Sequence, residues 1–240
     1  MGHPPLGTGS VETVFVKICG ITSEEDGLLA VALGADALGF NFVAGSKRQI
    51  AAERARDIIR RLPAEVMTVG IFRDELPGRV IEITHRAGLR AAQLHGRETT
   101  EQTRQVRAQI PVVIKAFTAG DPALNHVRDY GADVVMIDGA EPGSGEVFDW
   151  RLAEGAPKAG HRILLAGGLG PGNVADAIER VQPWGVDVAT GVERAPGVKD
   201  PVKLREFIAT AKAAGGGLAA QPDHIDHDHV PYDWEEDLLS

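Results

Sequence analysis

The chain has 240 residues, 43% of them hydrophobic and 5% aromatic, with 29 glycines, one cysteine and a net charge of −9. That suits one large α/β domain with a full core, excludes an intrachain disulfide or a cysteine-based metal cluster, and leaves no apolar run near the roughly 20 residues of a membrane helix. Residues 221–240 carry seven of the 34 acids and no Lys or Arg, so the body is close to neutral and offers no basic footprint for nucleic acid.

Taken in chain order, residues 1–13 lack the charged-then-apolar layout of a signal peptide and read as a flexible extension of a cytoplasmic protein. Strand one is expected at 14–18 (VFVKI). Thr22 and Glu25 then show capping-box spacing ahead of Leu28, Leu29, Val31 and Ala32. Gly34-Ala35-Asp36 turns the chain into strand two at 37–42. Pro63 stops a helix containing Ile58, Ile59 and Leu62. Strands three to five follow at 67–72, 91–95 and 112–117. Asp121-Pro122 opens a helix with a cap residue ahead of proline, and Gly131-Ala132-Asp133 leads into strand six at 134–138. Strand seven is expected at 163–166, and Gly185-Val186-Asp187 brings in strand eight at 186–189. Asp200-Pro201 opens a last helix that is complete by about Ala211. Residues 215–240 form an acidic tail without helical or strand period, expected to be disordered.

Strands that alternate with helices lie parallel, because each crossover returns the chain to the same end. Eight such units in about 200 residues fit a single-domain (β/α)8 TIM barrel over 14–214, with an open doubly wound sheet as the competing architecture. Both folds place chemistry at the C-terminal ends of strands.

Cys19 ends strand one just ahead of Gly20 and a helix start, where a thiol ionises more easily; taken alone, a small buried residue filling the strand end is the favoured reading. Asp138 closes the apolar strand six, either as a general acid or as a cap for the next loop. Gly167-Gly168-Leu169-Gly170 and Thr190-Gly191 follow strands seven and eight, where barrels bind phosphate through backbone N–H groups. Ser46-Lys47-Arg48 follows strand two; Arg48 has the fork to hold a carboxylate, although a solvated basic loop needs no such role. His95 is the one histidine at a strand end. Metal sites need several converging ligands, so it reads as structural or as a polar wall residue, and no metal is expected.

Together these residues resemble the phosphoribosylanthranilate isomerase family. The resemblance rests on Lys17-Ile18-Cys19-Gly20-Ile21-Thr22, Gly34 to Phe40, Ser46-Lys47-Arg48-Gln49-Ile50, Gly70-Ile71-Phe72, Gln93-Leu94-His95-Gly96 and Ile137-Asp138. It continues through Gly143-Ser144-Gly145, Phe148-Asp149-Trp150, Gly167-Gly168-Leu169, Gly191-Val192-Glu193 and Pro196 to Asp200, in order over about 14–212. It implies Cys19 as general base and Asp138 as general acid. It also implies Arg48 on the anthranilate carboxylate of the substrate, and Gly168, Thr190 and Gly191 on its phosphate. Asp138 would open the ribose ring by protonating its oxygen, and Cys19 would take the proton from C2′. The substrate nitrogen serves as electron sink, so neither metal nor organic cofactor is required. The implied partner is a small phosphosugar, with the chain a monomer or homodimer. Ala166 and Ala189-Thr190 depart from the family's serines there, which weakens a hydroxyl grip on phosphate.

Two rival readings stand. Another phosphosugar barrel, such as one acting on a histidine-pathway aminoaldose, would look to a carboxylate where this chain has Cys19. A non-catalytic binding barrel would use the tail, where Asp223-His224, Asp226-His227 and Asp228-His229 suggest a metal or a partner. Finally, alternation puts Lys17 and Asp187 on the inner face of adjacent strands; a buried lysine needs a partner, so the two are expected to pair.

Overall fold

Eight stretches of Val, Ile and Ala take up extended backbone in the computed structural model, which describes residues 14–139, 149–154 and 160–215. The expectations for residues 1–13 and 216–240, including the disorder and metal binding of the tail, lie outside them. The strands are β1 (Phe15–Cys19), β2 (Ala37–Asn41), β3 (Met67–Phe72), β4 (Ala91–Leu94), β5 (Val112–Thr118), β6 (Val134–Asp138), β7 (Ile163–Leu165) and β8 (Gly185–Val188). All pairings are parallel, and β8 returns to β1, so the sheet is a closed barrel and not an open one.

Helices α1 (Glu24–Ala32), α2 (Ala52–Ile59), α3 (Pro77–Ala87), α4 (Thr100–Arg107), α5 (Val174–Val181) and α6 (Pro201–Gly215) cover the outside. Side-chain alternation divides the core in two. Phe15, Ala37, Met67, Val69, Ala91, Ile114, Met136 and Leu164 fill the barrel; Val16, Ile18, Leu38, Val113, Ile137 and Val186 face the helices. The inward-facing lysines have charged partners. In the register that pairs Lys17 with Asp187, Lys17 Nζ donates to Asp187 Oδ1 at 2.7 Å, as alternation required.

The local capping signals hold only in part. The cap of α1 is Ser23, whose hydroxyl accepts from Asp26 N; Thr22 instead donates to the Gly197 carbonyl at 2.5 Å. Gly34 and Gly131 take the expected left-handed conformation (φ +100° and +66°). Gly185 does not: the left-handed cap before β8 is Gln182. Gly185 lies in β8, and a glycine is needed there because a Cβ would meet the Phe15 carbonyl oxygen at 2.8 Å. Asp121 caps as expected, with Ala123 N donating to its side chain, but the segment it opens is 3-10 structure over Pro122–Tyr130, broken at His126. A short antiparallel hairpin, β9 (Glu193–Ala195) and β10 (Val198–Lys199), comes after β8.

Candidate active site

Cys19 and Asp138 end β1 and β6 at the same rim of the barrel, in the inward phase of their strands. The thiol is buried, and Gly39 on the neighbouring strand gives it room: a Cβ at Gly39 would stand 3.1 Å from Sγ. The expectation of a helix N-terminus easing its ionisation is corrected. The amides of Gly20 and Ile21 both donate to the Gly39 carbonyl, and α1 begins only at Glu24. Burial pushes the thiol above its ordinary value, against the opposing pull of Lys17, Lys199 and Arg48. Lys17 itself is held above its usual value: burial works against its charge, but Asp187 and Cys19 outweigh it.

Asp138 Oδ1 accepts the N–H of Gly139 at 2.7 Å, so it does cap the following turn. Its other oxygen, Oδ2, lies 3.1 Å from His95 Nε2. Gly167 makes this possible. It adopts φ +88°, and a Cβ there would come within 2.8 Å of Asp138 Oδ1 and 2.6 Å of Gly139 N. His95 is thus more than a wall residue, because it contacts the carboxylate directly. Its place in Gln93-Leu94-His95-Gly96, at the rim two strands from β6, was the available signal. Beside the pair opens a cavity of about 600 Å³, lined also by Lys115, Phe117 and Tyr130.

Arg48 packs over Gly20, whose φ of +79° and lack of Cβ admit its side chain. Its guanidinium forks onto Glu193, Nε to Oε1 at 2.8 Å and Nη2 to Oε2 at 2.7 Å, and Nη2 also donates to Thr190 Oγ1 at 3.0 Å. It is no solvated loop residue. Glu193, which sequence reasoning did not single out, is shared with Lys199 at 3.0 Å, and Lys199 Nζ donates to the Cys19 carbonyl at 2.5 Å. Burial opposes the charge on Glu193, yet Arg48 and Lys199 hold its carboxyl below the usual value.

The turns after β7 and β8 touch. A Cβ on Gly191 would collide with the Leu169 carbonyl. Asn173 ties the first turn, accepting from Gly170 N at 2.8 Å and donating to the Gly168 carbonyl at 2.9 Å. Its side chain makes no capping bond to α5. Gly168, Thr190 and Gly191 therefore sit on one side of the mouth, with Arg48 bonded to Thr190. Among the described residues no group of three His, Cys, Asp or Glu is placed to hold a metal ion, and no helix is long and apolar enough to cross a membrane.

A family model described as N-(5′-phosphoribosyl)anthranilate (PRA) isomerase matches residues 16–210. This chain belongs to that family. A relative named N-(5′-phosphoribosyl)anthranilate isomerase, from Desulforudis audaxviator, is 50% identical over 206 residues, covering 83% of this chain and 98% of its own. The crystal structure of phosphoribosyl anthranilate isomerase from Thermus thermophilus superposes with a TM-score of 0.79 at 45% identity, over 83% of this chain and 99% of that one. Monomers of the dimeric phosphoribosylanthranilate isomerase of Thermotoga maritima give 0.76 at 39% identity, over 83% and 99%. The 143–145 and 148 parts of the family pattern lie outside the described residues.

Proposed function

We propose that this chain converts N-(5′-phosphoribosyl)anthranilate to 1-(2-carboxyphenylamino)-1-deoxyribulose 5-phosphate, with Cys19 as base and Asp138 as acid. The observation that carries the assignment is their placement: a buried thiol and a hydrogen-bonded carboxyl stand inward at one rim of one barrel. Protonation of the ring oxygen by Asp138 opens the furanose to an iminium. Cys19 as thiolate removes the C2′ proton, and the resulting enolamine tautomerises to the ketone. The substrate supplies its own electron sink, so the scheme draws on no metal or cofactor.

The turns holding Gly168, Thr190 and Gly191 are assigned to the phosphate. In support, Asn173 bonds the turn and not α5, which leaves first-turn amides of that helix for an anion. This grip uses backbone donors and is little affected by Ala166. Arg48 is assigned to the anthranilate carboxylate. Its Nε and Nη2 already serve Glu193, so the substrate is approached through Nη1. The chain is taken as a cytoplasmic monomer or homodimer, with sedimentation equilibrium deciding between the two.

Steady-state kinetics on Asp138→Asn and Cys19→Ser test the assignment. Asparagine keeps the shape but has no carboxylic proton, and serine is far less acidic than cysteine. Each variant should lose about 10²–10⁴-fold in kcat with a smaller change in KM, and both should remain folded. Near wild-type kcat in either removes that residue from the mechanism. Assaying the histidine-pathway aminoaldose in parallel excludes the rival isomerase if that substrate turns over more slowly.

A further inference from the structure

We propose that Gln93 is a positioning residue that fixes the tautomer of His95, so that its ring presents an Nε2–H to Asp138. The inference rests on the assignment of Asp138 as the acid.

Gln93 projects into the barrel from β4 and is buried. Its Nε2 lies 2.7 Å from His95 Nδ1 and 3.3 Å from Met136 Sδ, while its Oε1 is buried without a partner among the described residues. The amide orientation is settled by counting donors. As placed, each amide hydrogen has an acceptor and one carbonyl oxygen is left over. Turned over, the oxygen could accept an Nδ1–H of His95, but both amide hydrogens would be buried without acceptors. Gln93 therefore donates to Nδ1. A ring whose Nδ1 accepts must carry its hydrogen on Nε2, and Nε2 faces Asp138 Oδ2 at 3.1 Å.

The consequence concerns how Asp138 is aimed. Oδ2 receives the N–H of His95 and Oδ1 that of Gly139, so two donors hold the carboxyl in place. When the Asp138 O–H bond breaks, the new O–H bond forms on the ribose ring oxygen, which takes the C1′–O electron pair, and the carboxylate left behind keeps both donors.

The other charged groups at this rim are engaged elsewhere. Glu98 accepts from Lys115 Nζ at 3.0 Å and from the amides of Asp74 and Gly96. Asp74 accepts from Arg97 N at 2.7 Å. Arg73 pairs with Asp74.

Nitrogen NMR of the full-length, histidine-labelled enzyme tests this directly. The expected His95 signals are a protonated Nε2 and a bare Nδ1; an Nδ1–H tautomer overturns the inference and leaves Asp138 as the acid. Gln93→Glu places an acceptor at Nδ1, so Nδ1 should then carry a hydrogen, and kcat should fall at least about tenfold with little change in KM. A Gln93→Glu variant whose His95 keeps a bare Nδ1 overturns the proposal. His95→Gln keeps a donor toward Asp138 and His95→Leu has none, so the first should retain at least about tenfold more kcat than the second; equal losses would overturn the proposal. Failure of the acid assignment shows separately, as retained kcat in Asp138→Asn.

Discussion

At Cys19 two opposing effects meet, and their balance sets a pH dependence. Burial raises the thiol, while Lys17, Lys199 and Arg48 draw it down without overcoming burial. A base must be ionised in the free enzyme, so kcat/KM should rise with pH across the neutral range, about tenfold per unit, until above the ordinary thiol value near 9. The profile is measured by initial rates from pH 6 to 10, and an acid limb well below 8 would show that the cations dominate. Lys17 is the first of these cations. Lys17→Met leaves Asp187 buried without its 2.7 Å partner, a loss of about 3–5 kcal/mol in urea unfolding, and it should push the acid limb higher still. Adding Asp187→Leu should recover most of the stability and, because the Asp187 carboxylate itself raises the thiol, part of the shift in the acid limb. The Lys17–Asp187 pair was legible in the sequence because strand alternation and barrel closure are both rules of backbone geometry. His95 and Glu193 were not, because His95 lies just past β4 and Glu193 in the short hairpin after β8, where strand alternation fixes no side-chain direction. Helix polarity misled at Cys19, since the amides just after it are spent on the Gly39 carbonyl.

Among elements, the strands were legible and their connections less so. A strand of five apolar residues carries its own period, but β9 and β10 have three and two residues and no period to read. Yet this hairpin shapes the rim. Glu193 and Lys199 lie on it, Gly197 N donates to Glu193, Lys199 N donates to Asp26 of α1, and the loop bearing Arg48 closes over it through the fork on Glu193. Arg48→Ala should raise KM by about 10–150-fold, the loss of about 1.5–3 kcal/mol from a charge-assisted bond to the anthranilate carboxylate, with kcat less affected. Unchanged KM and kcat would confine Arg48 to holding the hairpin. The same clasp has a pH signature. Glu193 is held below its ordinary value, so its contribution is complete above that value, near 4.5, and is lost as pH falls through the lower folded one. Acid unfolding of Glu193→Gln should therefore lack that part of the wild-type decline, and parallel acid titrations of the two proteins would contradict the clasp.

For the molecule as a whole, the last helix reaches back to the first strand, beside the seam where β8 pairs with β1. The repeating strand–helix pattern made the (β/α)8 fold readable, because eight units leave few other arrangements, but it placed the end of the eighth unit at about Ala211, one turn too early. In the structure α6 runs to Gly215. Lys212 Nζ donates to the Val14 carbonyl at 3.1 Å and to Asp36 Oδ2 at 2.6 Å, and the same Asp36 oxygen accepts Val16 N at 2.6 Å. Gly215 packs so closely on Val14 that a Cβ would stand 2.5 Å from its nitrogen. The last turn of α6 thus fastens the start of β1 and the turn into β2. Two truncations separate the helix from the acidic tail. Removing residues 216–240 should leave melting temperature and kcat nearly unchanged, because the bonds of Lys212 and the contact at Gly215 survive. Removing residues 212–240 deletes them and leaves Asp36 without its cation. That should cost at least about 1–2 kcal/mol, read as a fall of several degrees at about 2–4 °C per kcal/mol for a domain of this size. Thermal unfolding and steady-state kinetics on both proteins decide the matter. A large loss already on the shorter cut would mean that residues beyond Gly215 support the barrel or its site, and the unit closed by α6 would then not be the whole of the working enzyme.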